Sequence, residues 1–221
     1  SLGETGGRNQ QPGNQTGREL NISNWYNGRW LGVLRYKSRK KAERAAQTCE
    51  AAIKNRNIGY DMDDRNTAYE AARAVQWDVS KITKPVETDC SALMMLCAVA
   101  AGCASVEALY RRQGNSCTTY CMLHDWPATG DFVLLTDSKY LTTDANLLRG
   151  DVLVSSGHTV MALEDGKNAE EETEMVEKSK IIVDGKEVAV ERILKDGTNY
   201  VKVRDIAAAL NAPKSGYPAC L

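Results

Sequence analysis

Apolar and polar positions change their spacing several times along the chain, and each change predicts an element. From Glu19 to Tyr36, short apolar stretches alternate with polar residues around the turn pair Asn27-Gly28, which predicts short strands. Lys37 to Asn55 is rich in Ala, Lys, Arg and Glu and lacks Gly and Pro, which predicts a helix. A second helix is predicted over Arg65–Trp77, where Ala68, Ala71, Ala72 and Val75 form one small-residue face, and Pro85 breaks the chain before a third. That third helix, Cys90 to Ala101 (CSALMMLCAVAA), is apolar on nearly all sides and should lie at the centre of the fold. Thr88 and Asp89 are candidates to cap its start, and Gly102 ends it. A further helical stretch covers Ser105–Arg112, and Gly114 to Gly130 reads as a loop with a short helical turn. Strands are then predicted at Phe132–Leu135, Asp151–Val154 and Thr159–Leu163. Helices first and antiparallel strands later predict an α+β domain over residues 1–165.

The pattern changes again after Leu163. Residues 166–179, centred on KNAEEETEMVEK, are charged and poor in apolar side chains and predict an acidic linker, in part helical. Residues 180–221 then predict a small β/α module: two strands in IIVDGKEVAVERIL around an Asp184-Gly185 turn, a strand in TNYVKV, and a short helix in RDIAAALN. A segment this short buries little core on its own.

Composition excludes several classes. With 43% apolar and 26% charged residues the chain reads as globular, and a net charge of −1 gives no global field for nucleic acid. No apolar run reaches the roughly 18–20 residues of a membrane helix. Residues 1–60 are locally basic, with eleven Lys/Arg against four Glu. That face would suit either solvent or an anionic polymer. The polar, Gly-rich start lacks the charged-then-apolar layout of a secretion signal. The odd count of seven cysteines, most in helix-like apolar contexts, points to reduced thiols rather than a disulfide framework.

Two candidates for chemistry stand out. Cys90 opens the central helix, where unpaired amides and the helix dipole would favour a thiolate and could hold a developing oxyanion. The chain has only two histidines, His124 and His158, so any imidazole must be one of these. His158 follows Gly157 at the start of a predicted strand, which would fix its backbone; His124 sits beside Asp125, Trp126 and Pro127 in a predicted irregular loop. A rival grouping, Cys117-x3-Cys121-x2-His124, shares a helical face and suits zinc, but it has no local fourth ligand. The same loop could instead border a groove, with Tyr120 and Trp126 free to stack on sugar or peptide.

Thr88-Asp89-Cys90-Ser91-Ala92-Leu93, followed by Leu148-Arg149-Gly150-Asp151-Val152-Leu153 and Gly157-His158-Thr159-Val160-Met161, resembles the Cys…Gly-Asp…His segments of NlpC-type cysteine peptidases. CHAP amidases share this logic. The similarity is greatest to phage and prophage endolysins, through segments such as Gln15–Glu19, Trp25-Tyr26-Asn27, Ile58–Asp61 and Ala128–Phe132, and it covers most of residues 14–165. The resemblance implies a papain-like core and a peptidoglycan hydrolase of Gram-positive walls that cuts a stem-peptide amide through an acyl-enzyme. The cut bond could be that of an endopeptidase or of an N-acetylmuramoyl-L-alanine amidase. Cys90 would be the nucleophile and His158 the base. Tyr60 would stand beside the nucleophile with Asp61 as a polar neighbour, and Asp89 and Ser91 would contact substrate amines or serve only as cap and first-turn residues. Asp165, another polar group or a backbone carbonyl would orient the histidine.

The resemblance requires no metal or other cofactor. It implies synthesis in a bacterial host cytoplasm and action at the wall after release, with no nucleic acid or membrane partner. Residues 181–207 resemble a small copper-amine-oxidase N-terminal-like module, which implies wall binding or self-association. Other readings of the whole chain are a non-catalytic wall-binding scaffold and an acyltransferase on the same fold.

Overall fold

The computed structural model describes residues 19–168 and the strands 176–183, 186–195 and 198–201. The chain divides into two compact units, residues 1–169 and 170–221. The first is α+β, with helices packed on an antiparallel sheet in the order β4-β1-β5-β6. Its strands are β1 (Gly32–Tyr36), β4 (Phe132–Leu135), β5 (Val152–Val154) and β6 (Thr159–Met161). The register aligns Leu34 with Leu134 and Val152, and Val152 with Met161. The period of two therefore sends Leu34, Tyr36, Phe132, Val152, Val154 and Met161 to the face that carries the main core. Val33, Leu153 and Val160 go to the opposite face, which Trp30 and Leu147 cover.

Helix α1 (Arg39–Lys54) starts at Ser38, whose hydroxyl accepts from Lys41 N at 3.4 Å, and buries Ala42, Ala45, Ala46, Cys49 and Ala52. Small side chains at this spacing bring α1 close to its neighbour α3 (Cys90–Ala100). Every residue of α3 from Cys90 to Val99 is buried, as its uniform apolarity predicts. The helix stops where Ala101 gives way to Gly102 at φ +90°, and Cys103 N donates back to Ala98 O at 3.0 Å. Around this pair stand α2 (Thr67–Ala74), α4 (Ala104–Arg112) and α5 (Thr119–His124), while the one-turn α6 (Ser138–Leu141) packs on the other face of the sheet.

The first unit departs from the pattern at several points. Residues 19–31 do not pair as strands, because Arg29 at φ +54° breaks the extended run and Leu20 and Trp30 are buried instead as packing anchors. Helix α2 ends at Ala74, short of Trp77, because Gln76 and Trp77 adopt positive φ. His124 ends the regular helix α5 rather than lying in an irregular loop. A two-stranded parallel pair, β2 (Ile58–Tyr60) and β3 (Val86–Thr88), was not predicted; three residues are too few to show a period.

The second unit contains an antiparallel meander of β7 (Val176–Val183), β8 (Lys186–Lys195) and β9 (Thr198–Val201). Strand β7 begins inside the stretch that composition assigns to a linker. The long partner β8 pairs with it through backbone groups, which accommodates Glu177, Lys178 and Ser179 whatever their polarity. The predicted 204–211 helix, the Asp184-Gly185 turn and the lead up to Arg18 lie outside the described residues.

Arg35 and Asp151 tie the two central strands together. Arg35 Nε and Nη2 meet the Asp151 carboxylate at 3.0 and 2.7 Å, and Leu148 N donates to Asp151 Oδ2 at 2.8 Å. The Asp151 side chain is fully buried. Asp151→Ala is expected to cost about 3–5 kcal/mol in urea unfolding, because it removes the carboxylate from a partly buried guanidinium and leaves a buried backbone amide without its acceptor.

Candidate active site

Strand β3 runs directly into α3, so its hydrogen bonds set where the helix begins. Tyr60 pairs with Thr88, and Asp61 N donates to Thr88 O at 3.0 Å. Asp89 then turns the chain: its Oδ1 accepts from Ala92 N at 2.7 Å and from the Ser91 hydroxyl at 3.1 Å. Arg65, at the foot of α2, closes the arrangement. Its Nη1 pairs with Asp89 Oδ2 at 2.9 Å, while Nη2 donates to Ser91 Oγ at 3.1 Å and to the Cys117 carbonyl. Asp89 and Ser91 thus act first as structural elements of the helix start, with both side chains buried.

Cys90 is the first residue of α3 and is buried. The Tyr60 hydroxyl and backbone groups of Ser91 and Thr159 lie beside its sulfur. Thr159 is the residue after His158, so the thiol lies against the start of β6. His158 is fixed as its position after Gly157 predicts. Ser155 N donates to His158 O at 2.8 Å, Gly157 adopts φ +100°, and Gly157 N donates to Thr119 Oγ1 of α5 at 3.1 Å. The His158 imidazole is half-buried, and its Nε2 lies 3.0 Å from the Tyr26 hydroxyl.

The electrostatics differ from the expectation of a thiolate. Burial pushes the Cys90 thiol up, and the neighbouring Asp89 carboxylate pushes it further; the contacts with Tyr60, Thr159 and Ser91 oppose this without reversing it. The helix start supplies donors, but the carboxylate that caps it and the loss of water outweigh them. Burial also lowers His158 below its ordinary value, so the imidazole is neutral near pH 7. Tyr60 keeps its proton, raised by burial and by the sulfur it faces. Both the Cys90 thiol and the His158 imidazole are therefore neutral at rest near pH 7.

The remaining predicted residues are placed as follows. Asp61 is buried; its Oδ1 accepts from Asp63 N at 2.7 Å, and Oδ2 has no partner among the described residues. Asp165 accepts from Arg149 N at 2.6 Å and faces Arg39 at 3.8 Å, and no contact links it to His158. Tyr120 is exposed and stacks on His124 at 4.0 Å, on a helix whose first residue touches the His158 loop. Trp126 is not available for stacking on a ligand: it is 1% exposed and packs on Phe132 at 5.0 Å within the core. The Cys121 thiol donates to Gln113 Oε1 at 2.9 Å, and His124 Nδ1 turns to the Tyr120 carbonyl at 2.8 Å. Among the described residues, no group of three His, Cys, Asp or Glu converges on a point. No helix among them is long and apolar enough to cross a membrane.

Nothing local in the sequence distinguishes Arg65 from an ordinary helix-start cation, and Tyr26 stands out there only within Trp25-Tyr26-Asn27. A cavity of about 600 Å³ adjoins the site. It shares Tyr26 and Thr159 with the thiol's surroundings and extends past Leu93 and Met94 to Ile53 and Leu163.

A family model described as "Endolysin-like domain" matches residues 3–169. No curated protein and no solved structure matches the chain.

A raised thiol gives a direct expectation. Alkylation of Cys90 by iodoacetamide, followed by peptide mass, should rise about tenfold per pH unit from roughly pH 7 to 9. A rate already level at neutral pH would show a resting thiolate.

Proposed function

The chain belongs to the endolysin-like domain family, and we propose that it is a peptidoglycan hydrolase that cleaves an amide bond of the wall stem peptide through Cys90 and His158. The observation that carries this reading is a thiol at the buried start of α3, packed against the residue that follows a half-buried imidazole, in a domain of this family.

His158 takes the Cys90 proton as the sulfur attacks the stem-peptide carbonyl. The C–N bond of the tetrahedral intermediate breaks, and the imidazolium gives its proton to the departing amine. Water, deprotonated by the same imidazole, then releases the acyl group and regenerates the thiol. Tyr60, whose hydroxyl lies beside the sulfur, and the amides at the start of α3 supply donors for developing negative charge. The neutral resting pair fits this cycle, since the base must be unprotonated when substrate arrives. In the same reading the substrate is Gram-positive wall, and Tyr120 on α5 offers an exposed aromatic face beside the His158 loop. The C-terminal strands are assigned to wall binding or self-association.

Purified Gram-positive walls should clear with the wild-type protein and not with Cys90→Ser. His158→Ala should slow clearing by at least about 10²-fold, the usual scale of general acid–base help. Equal clearing by wild type and Cys90→Ser would end the mechanism. Mass spectrometry of the released muropeptides identifies which bond is cut.

A further inference from the structure

An imidazole that works as a base through one ring nitrogen needs the other held, because a neutral ring otherwise exchanges between two tautomers. Asp165 does not meet this need, since its carboxylate is engaged by Arg149 N and faces Arg39. The group that does contact the ring is the Tyr26 hydroxyl, 3.0 Å from Nε2.

Tyr26 is itself held firmly. Trp30 lies 5.5 Å from the Tyr26 ring, centroid to centroid, and its indole Nε1 donates to the Tyr26 carbonyl at 3.2 Å. The same indole stacks on His158, with centroids 6.3 Å apart and planes 27° from parallel. Trp30 is 6% exposed and anchored in the core on the second face of the sheet. The loop between the two aromatics closes over the indole at Gly28, where a Cβ would stand 2.4 Å from Trp30 Cζ2. Asn27 Oδ1 accepts from Arg29 N at 3.1 Å and fixes the turn. One tryptophan therefore sets the phenol and the imidazole against each other. Burial and the nearby Cys90 sulfur keep the phenol protonated, so it meets the ring as a neutral partner.

We propose that Tyr26 is the positioning residue for His158, its hydroxyl oxygen accepting the Nε2–H so that Nδ1 keeps the lone pair that takes the Cys90 proton. This assignment rests on the Cys90–His158 reading. It puts the third member of the site on the segment that precedes β1 rather than on a strand after β6. When His158 is protonated during attack, the Nε2–H bond to the phenol persists and strengthens, because the donor then carries charge.

Tyr26→Phe keeps the ring against Trp30 and removes only the oxygen. With two histidines in the chain, ¹⁵N NMR at roughly pH 8, where histidine at its ordinary pKa of about 6.5 is neutral, resolves the His158 tautomer directly. The wild type should show mainly the Nε2–H form, and Tyr26→Phe a mixture of the two. The turnover rate on purified walls should fall about 10- to 100-fold, the scale of a hydrogen bond to a charged group, with KM little changed. A drop in rate without a change of tautomer overturns the assignment, since a merely structural role would give that result. An unchanged tautomer with unchanged, Cys90-dependent clearing overturns it and leaves the hydrolase reading standing. A tautomer shift in a protein that clears no walls upholds the Tyr26–His158 link and overturns the hydrolase reading instead.

Discussion

Asp89 has to satisfy three groups with one carboxylate. It caps α3 through Ala92 N, bonds the Ser91 hydroxyl, and pairs with Arg65, whose other nitrogen reaches Ser91 and the Cys117 carbonyl. A buried carboxylate is tolerated only when its lone pairs are used, and here the helix start and the foot of α2 supply the partners, while the Cys117 carbonyl before α5 accepts from Arg65. The position of Cys90 follows, because the residue after such a cap has no freedom to move along the helix axis. So does its chemistry, since the same negative charge lies beside the sulfur and opposes a thiolate.

The opposite wall of the site has a different origin. The β5–β6 hairpin is held by the Arg35–Asp151 pair at its base and by Gly157 at its tip, and the tip is tied to α5 through Thr119. Thr159 faces α3 because its register partner Val154 faces the same side of the sheet, and its hydroxyl bonds Leu153 O at 2.8 Å. The Cys90 thiol and Thr159, the residue after His158, are thus brought together by separate parts of the fold, a buried helix cap and a strand hairpin. Arg149 secures the rear of this frame, bridging Glu43 at 2.8 Å and Glu50 at 2.7 Å on α1.

How much of this could be read from the sequence depended on range. The central helix, its Asp cap and its Gly stop were legible because each is set within a few residues. The strands of the main sheet were legible because β1, β4 and β5 carry apolar residues on both faces. The three-residue strands β2 and β3 carry too little pattern, although they place Tyr60 beside Cys90. Arg65 and Tyr26 act over 24 and 132 residues of separation, on Asp89 and His158, which no spacing rule reaches. Trp126 misled because a tryptophan among polar residues looks exposed, whereas Phe132 and the core cover it. The thiol's acidity misled for a simpler reason: the helix dipole is visible in sequence, and desolvation is not.

The central claim is a covalent one, that the Cys90 sulfur carries the acyl group between two half-reactions. Rapid acid quench of the protein with a purified stem-peptide substrate, followed by intact mass and peptide mapping, reads it without reliance on lysis. The account predicts a transient mass increase equal to the acyl fragment, located on Cys90 and lost as product accumulates. Product formed at full rate with no adduct, or with the adduct on another residue, would contradict it.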